Sequence, residues 1–148
     1  MSEHKVNVSW ERGDAGFGYK EYPRQHGWVF PRSEQALNVS AAVEYLGDAD
    51  CVDPEEAFTA SLASCHMLTF LAIASMSGFV VDSYTDQAVG HLAKGENGKP
   101  WLAKVEMNPT ITFSGDKTPS SEDLEKLHHK AHQECFLANS VKTEVTWG

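Results

Sequence analysis

Basic residues are scarce in this chain. Its 148 residues include 12 Lys and Arg against 21 Asp and Glu, which gives a net charge of -9 at pH 7. Because negative charge repels phosphate backbones, we expect no nucleic-acid partner. The sequence also lacks an unbroken apolar run of the roughly 18 to 20 residues that a membrane helix needs, and it does not begin with a signal-peptide pattern. We therefore expect a cytoplasmic protein with no membrane partner.

Cysteine is scarce as well, with single residues at positions 51, 65 and 135. There is no Cys-x-x-Cys pair, so a thioredoxin-type motif and a zinc knuckle are both excluded. Structural disulfides are rare in the cytoplasm, and an odd number of thiols does not form a disulfide framework. The sequence has no Gly-rich phosphate loop, no Ser-centred nucleophile elbow and no His-Glu-x-x-His either.

The N-terminal third predicts a small antiparallel β meander. Residues 5–10 alternate apolar and polar side chains, residues 13–18 contain three glycines, and an apolar segment at 28–30 ends at Pro31. Residues 31–52 are mixed in character, and they predict either a short helical turn or a covering loop.

A long helix is predicted over residues 54–77. Asp53 is suited to the N-cap, Pro54 to the first helical position, and Glu56 completes a spacing like that of a capping box. Nearly every residue that follows is apolar or small, until Gly78 provides a C-terminal stop. A helix that is apolar almost all round is expected to be buried on most of its faces.

The rest of the chain predicts a β hairpin, a second helix and a closing strand. Residues 79–92 and 101–113 predict two strands joined by a turn. The second helix begins near Ser120 or Ser121, and residues 140–147 alternate as a strand. The apolar stripe of the second helix comprises Leu124, Leu127, Ala131 and Cys135. This order predicts an α+β fold, with a single domain over 1–148.

The cysteines allow more than one interpretation. Cys65 lies in the middle of the long apolar helix, and an inert core thiol is the ordinary expectation for such a residue. Cys135, at the end of the second helix, can be explained by packing in the same way. The two thiols can also form a disulfide if their Cα atoms come within about 7 Å. Cys51 lies in a polar loop and is expected to be unpaired.

The histidines allow a metal site, but the residues favour a simpler explanation. His128 and His132 have His-x-x-x-His spacing on one helix, next to His129, yet no carboxylate or cysteine is fixed beside them. A solvated helix face is the favoured interpretation. His66 follows Cys65 directly, so it points about 100° away around the helix and is not an obvious base for that thiol.

Two segments resemble the OsmC/Ohr family of osmotically inducible and organic hydroperoxide resistance proteins. One is residues 53–67, Asp-Pro-Glu-Glu-Ala-Phe-Thr-Ala-Ser-Leu-Ala-Ser-Cys-His-Met, and the other is residues 135–140, Cys-Phe-Leu-Ala-Asn-Ser. The predicted order of elements agrees with that family over nearly the whole chain. His66 stands where family members of the hydroperoxide-resistance branch have an aromatic residue, and residues 24–30 also differ, which suggests an OsmC-like side branch.

The resemblance implies a thiol peroxidase that acts on organic hydroperoxides in oxidative stress defence. It implies Cys65 as the peroxidatic cysteine, Cys135 as the resolving cysteine, and Glu55 as the active-site glutamate. It also implies an arginine from the N-terminal region, which we assign to Arg24, with Arg12 and Arg32 as alternatives. No cofactor or metal is implied, and the family's reductant is a dithiol of the lipoyl type.

Physical considerations add an expectation about assembly. A peroxide is reduced by a thiolate, and an arginine can stabilise a thiolate if a carboxylate such as Glu55 balances the buried charge. Glu55 and Cys65 would be about 15 Å apart in a straight helix. Either the helix breaks between them or the glutamate comes from a second subunit. The apolar helix surface favours the second explanation, so an intertwined homodimer is expected.

Two other functions remain open at this point. The thiols can serve a non-catalytic module that senses oxidants or binds a small apolar ligand. Alternatively, Cys65, Cys135, His128 and His132 can bind a metal. Phe58, Met67, Leu68 and Phe136 are candidates to line a pocket for an alkyl chain, although ordinary core packing is the favoured explanation for each of them.

Overall fold

Two α-helices and eight β-strands make up the fold of this computed structural model, which describes all 148 residues. The predicted α+β class is confirmed. The chain divides into two compact units, residues 1–57 and residues 58–148. The single domain expected over 1–148 stays a prediction.

The N-terminal unit contains the predicted antiparallel meander. Strands β1 (Asn7–Ser9), β2 (His26–Phe30) and β3 (Gln35–Val39) lie in that order in one sheet. Strand β3 was not predicted, because four of its five side chains are exposed and its alternation is weak. A 3₁₀ turn at Val43–Tyr45 accounts for the predicted helical turn.

Helix α1 spans Pro54–Met76, one residue shorter than predicted. Its start is a capping box: the Glu56 N–H donates to Asp53 Oδ1 at 2.8 Å, and the Asp53 N–H donates to Glu56 Oε1 at 3.0 Å. Two residues beyond the end of the helix, Gly78 has a left-handed φ of 85°. The Phe79 N–H reaches back to the Ala74 carbonyl at 3.0 Å, which closes the last turn.

Helix α1 is more continuously apolar than the sequence analysis expects, and it is only partly buried in the single chain. Its most apolar 18-residue window has a mean hydropathy of 1.6, so by length and composition the helix is long enough to cross a membrane. Single Ser, Thr and His residues interrupt the apolar segment of α1, so its full length was not recognised from the sequence. Only 33% of that window is buried. The buried positions follow one face: Thr59, Leu62, His66, Phe70, Ile73 and Ala74.

In the C-terminal unit each of the two predicted long strands is broken in two. The result is four strands: β4 (Val80–Asp86), β5 (Val89–Lys94), β6 (Pro100–Met107) and β7 (Pro109–Ser114). β5 pairs antiparallel with β6, and β4 pairs antiparallel with β7, with one register shift in each pair, between Val81 and Ser83 and between His91 and Leu92. At the break, the Asn108 N–H donates to Asp86 Oδ1 at 2.7 Å.

Helix α2 spans Ser121–Glu134 and begins with a second capping box, between Ser120 and Asp123. Strand β8 spans Glu144–Trp147 and pairs parallel to β6. It is shorter than the predicted strand at 140–147, because the chain first makes a 3₁₀ turn at Ala138–Ser140. Core cluster one contains Phe70, Ile73, Ala74, Phe79, Leu127 and Ala131. Core cluster two contains Leu62, Val105, Met107 and Val145.

Candidate active site

Two thiols from the two helices meet in the C-terminal unit. Cys65 lies in the middle of α1, and Cys135 is the C-cap residue of α2. Their sulfur atoms are 2.8 Å apart, with the Cys135 thiol donating to Cys65 Sγ. Both cysteines are free. Closing the gap to the roughly 2.05 Å of a disulfide bond requires a movement of less than 1 Å.

The two sulfurs differ in environment. Cys65 is half-buried, whereas Cys135 is only 1% exposed. Burial raises the pKa of the Cys135 thiol, and its hydrogen bond to Cys65 raises the pKa further. The backbone N–H of Ala138 approaches Cys135 Sγ at 3.4 Å and offsets part of this shift. Cys135 therefore keeps its proton at neutral pH, and Cys65 is the more exposed residue of the pair.

Exposed apolar side chains accompany both thiols along the chain. Leu68 lies one helical turn after Cys65 and is 60% exposed, while Phe136 follows Cys135 and is 83% exposed. Met67 is half-buried. Phe58 instead packs against core cluster two, so ordinary packing explains it. Apolar groups with this exposure are available to contact an alkyl chain.

A pair of buried imidazoles was not predicted. His66 and His128 are 1% and 5% exposed, and His66 Nε2 lies 3.0 Å from His128 Nδ1. The solvated face expected at 128–132 is therefore wrong for His128, although His129 is exposed. The sequence did contain a signal for the burial of these imidazoles. His66 continues the buried stripe of Leu62 and Phe70 on α1, and His128 follows the buried Leu127 on α2.

Aromatic rings enclose this pair. The two imidazole planes are 6° from parallel, and the Trp147 ring of β8 stacks beside them with centroids 5.7 Å and 6.2 Å away. Burial lowers the pKa of His66 to about 4, with smaller contributions from His128 and His132. Burial also lowers the pKa of His128, although Glu125 opposes that shift. Both rings are therefore neutral at pH 7.

The metal interpretation receives no support from this arrangement. Cys65 and Cys135 bond to each other, and His128 bonds to His66, so the four proposed ligands do not converge. No group of three or more His, Cys, Asp or Glu side chains is arranged to hold a metal ion. His132 is half-buried, and its Nδ1 has no hydrogen-bond partner.

The other predicted site residues lie in the N-terminal unit. Arg24 is half-buried, and its guanidinium group donates to the backbone carbonyls of Tyr19 and Tyr22 and lies 3.7 Å from the Tyr22 ring centroid. Arg12 is exposed and donates to the Ala15 carbonyl. Glu55 is half-buried in the first turn of α1, and α1 has no break between its two ends. Cys51 is free and half-buried.

Comparison with known proteins identifies the family. The model of the OsmC-like protein family matches residues 47–148. The chain belongs to the OsmC-like protein family. An OsmC-like protein of unknown function from Vibrio cholerae is 46% identical, with 100% of this chain and 99% of that chain covered and a TM-score of 0.94. The resemblance seen in residues 53–67 and 135–140 is thus confirmed.

More distant members share the OsmC fold. An organic hydroperoxide resistance protein OsmC from Legionella pneumophila is 16% identical over 100% of this chain and 99% of that chain, with a TM-score of 0.70. An organic hydroperoxide resistance protein from Elizabethkingia anophelis is 19% identical over 99% and 97% of the two chains, also with a TM-score of 0.70. No curated protein sequence matches this chain.

Proposed function

We propose that this OsmC-like protein is a thiol-dependent peroxidase that reduces organic hydroperoxides to alcohols. The observation that carries the proposal is the pair of free sulfurs 2.8 Å apart, one half-buried and one buried. A disulfide-forming pair needs a reachable nucleophile and a second thiol within bonding range. Members of the same family carry the description organic hydroperoxide resistance protein, which supports the choice of substrate.

The proposed cycle has three steps. The Cys65 thiolate attacks the distal peroxide oxygen, so that an S–O bond forms, the O–O bond breaks, and the alkoxide takes a proton to leave as an alcohol. The Cys135 sulfur then attacks the Cys65 sulfenic acid, forming an S–S bond and releasing water. A dithiol, which we propose to be of the lipoyl type, finally reduces the disulfide by thiol exchange. This chemistry suits the cytoplasm, where free thiols persist.

Arg24 and Glu55 have proposed roles in stabilising the Cys65 thiolate. An arginine is always charged and presents a rigid fork to an anion, and a carboxylate balances its charge when the pair is desolvated. Arg24→Ala should therefore lower kcat/KM for a hydroperoxide more than Arg12→Ala or Arg32→Ala does. Equal losses in all three variants would contradict the assignment of Arg24.

A homodimer is part of the proposal. One face of α1 stays exposed in the single chain, and it combines small residues with apolar ones: Ala60, Ser61, Ser64, Leu68, Ala72, Ser75 and Met76. The exposed fraction reaches 80% at Met76, which a second copy of the chain would cover. Because α1 is unbroken, we propose that the partner subunit's Glu55 serves the site that contains Cys65.

The function is tested by measuring peroxide consumption with a lipoyl dithiol as reductant. We expect wild type to consume an alkyl hydroperoxide faster than hydrogen peroxide, and Cys65→Ser to lose that turnover. Cys51→Ser is the matched control, because it removes a half-buried free thiol outside the pair and should keep wild-type turnover. No turnover by wild type, or full turnover by Cys65→Ser, would overturn the proposal in favour of redox sensing or ligand binding.

A further inference from the structure

The His66–His128 pair is a costly feature in the core of the C-terminal unit. Burying polar groups is unfavourable unless they are hydrogen-bonded, and apolar residues of similar volume would often be at least as stable. Here two imidazoles, 1% and 5% exposed, depend on one hydrogen bond of 3.0 Å. The two imidazoles bond to each other and the two sulfurs bond to each other, so the imidazole pair has no assigned part in the chemistry.

The position of the pair relates it to the thiols. His66 immediately follows Cys65 on α1, and His128 lies seven residues before Cys135, two turns up the same face of α2. The His66–His128 hydrogen bond and the Cys65–Cys135 sulfur pair therefore both connect α1 to α2, and both form at the same register of the two helices. Trp147 of β8 stacks on both imidazoles, and its ring N–H donates to Glu125 Oε1 of α2 at 3.2 Å.

The neighbouring apolar contacts are less specific than this hydrogen bond. Leu127 and Ala131 belong to core cluster one together with Phe70 and Ala74, but apolar packing has no direction and tolerates repacking. A slip of α2 by one turn, about 5.4 Å, would replace one apolar contact with another and would separate Cys135 from Cys65. The imidazole pair does not tolerate such a slip, because both buried rings would lose their partner.

We propose that the hydrogen bond between His66 and His128 fixes the register of α2 against α1 and thereby stabilises the Cys65–Cys135 disulfide. Single buried polar contacts that fix helix register at a cost in stability are known from coiled coils. His66 and His128 are positioning residues in this scheme. The inference rests on the proposed use of the two thiols as a disulfide-forming pair.

The test is the disulfide equilibrium of the full chain in glutathione buffers. The two thiols pass two electrons and two protons to oxidised glutathione, which gives one protein disulfide and two molecules of reduced glutathione. Wild type is compared with a leucine pair, His66→Leu with His128→Leu, and with His128→Asn, whose side-chain atoms can replace Nδ1 in the hydrogen bond. The urea midpoint of each reduced protein is measured in parallel.

We expect the leucine pair to keep or raise the urea midpoint, because an apolar pair removes the cost of burying polar groups. Its disulfide equilibrium constant should nevertheless fall about tenfold, which corresponds to a potential about 30 mV higher. The disulfide equilibrium constant of His128→Asn should stay within about threefold of the wild-type value. If the imidazoles only stabilised the fold, the leucine pair would have a lower urea midpoint and an unchanged reduction potential.

Two results would overturn the inference: a leucine pair with the wild-type equilibrium constant, or a wild type that forms no Cys65–Cys135 disulfide with oxidised glutathione. If the leucine pair does not fold, His128→Asn and His128→Ala provide the same contrast. No peroxide takes part, so a disulfide that responds to the imidazoles supports the inference even in a chain that turns over no peroxide.

Discussion

The buried imidazole of His66 should make this protein lose stability as the pH falls. His66 is 1% exposed, and its pKa is lowered from 6.5 to about 4 in the folded chain. The unfolded chain therefore binds a proton at His66 at a higher pH than the folded chain does. Above pH 7 the imidazole is neutral in both states, so the lowered pKa does not change the free energy of unfolding. As the pH drops from about 6.5 towards 4, the unfolded chain is protonated first, and the free energy of unfolding decreases.

The magnitude follows from the two pKa values. One pKa unit corresponds to about 1.4 kcal/mol, so the full shift is worth about 3 kcal/mol, of which about 2 kcal/mol is lost between pH 7 and pH 5. His66→Gln removes this titration and keeps an N–H at the ε position for the bond to His128. We therefore expect its free energy of unfolding to fall by about 2 kcal/mol less than that of wild type over this interval.

The assay is urea unfolding at pH 7 and pH 5, at one protein concentration because an oligomer's stability depends on it. With a slope of about 2 kcal/mol per M of urea, the difference is a shift of about 1 M in the midpoint. His128, His132 and Glu125 face the same cluster and are unchanged in His66→Gln. His129→Gln, which removes an exposed imidazole from α2, is the matched control. If the free energy of unfolding fell equally in wild type and His66→Gln between pH 7 and pH 5, the account of a buried neutral imidazole would be refuted.

Three further predictions concern the thiols, the assembly and the fold. Cys135→Ser should reduce one equivalent of alkyl hydroperoxide and then stop, with a Cys65 sulfenic acid that a dimedone-type probe traps; sustained turnover with a dithiol would argue against a resolving role. Leu68→Glu should lower the dimer fraction in sedimentation by at least tenfold, because it places a charge on the exposed face of α1, and an unchanged fraction would put the interface elsewhere. Ser120→Ala should lower the free energy of unfolding by about 1 kcal/mol by removing the cap of α2, whereas no loss in urea unfolding would contradict the capping box.

The sequence predicted the elements whose signals are local. The capping residues Asp53 and Glu56 and the stop at Gly78 each act within one turn of α1, and the bounds of that helix were predicted to within a residue. The same holds for the start of α2, where Ser120 is the N-cap residue. The α+β class followed from the order of these elements, since each helix has to bury a face against a sheet.

What the sequence could not predict depends on partners distant along the chain. Strand β3 is recognisable only through its pairing with β2, and the parallel pairing of β8 with β6 joins residues about 40 positions apart. The His66–His128 bond spans 62 positions, so local spacing favoured a solvated face instead. For the thiols, the resemblance to OsmC/Ohr proteins indicated both cysteines, and their 2.8 Å separation came from the packing of α2 on α1.

The most direct test of the central claim is a titration of the reduced protein with one equivalent of an alkyl hydroperoxide, without any reductant. The account predicts that each equivalent removes two thiols per chain and yields one equivalent of alcohol. Peptide mapping should then find Cys65 joined to Cys135 and Cys51 still free. An unreacted peroxide, or oxidation confined to Cys51, would contradict the assignment of Cys65 and Cys135 as a peroxide-reducing pair.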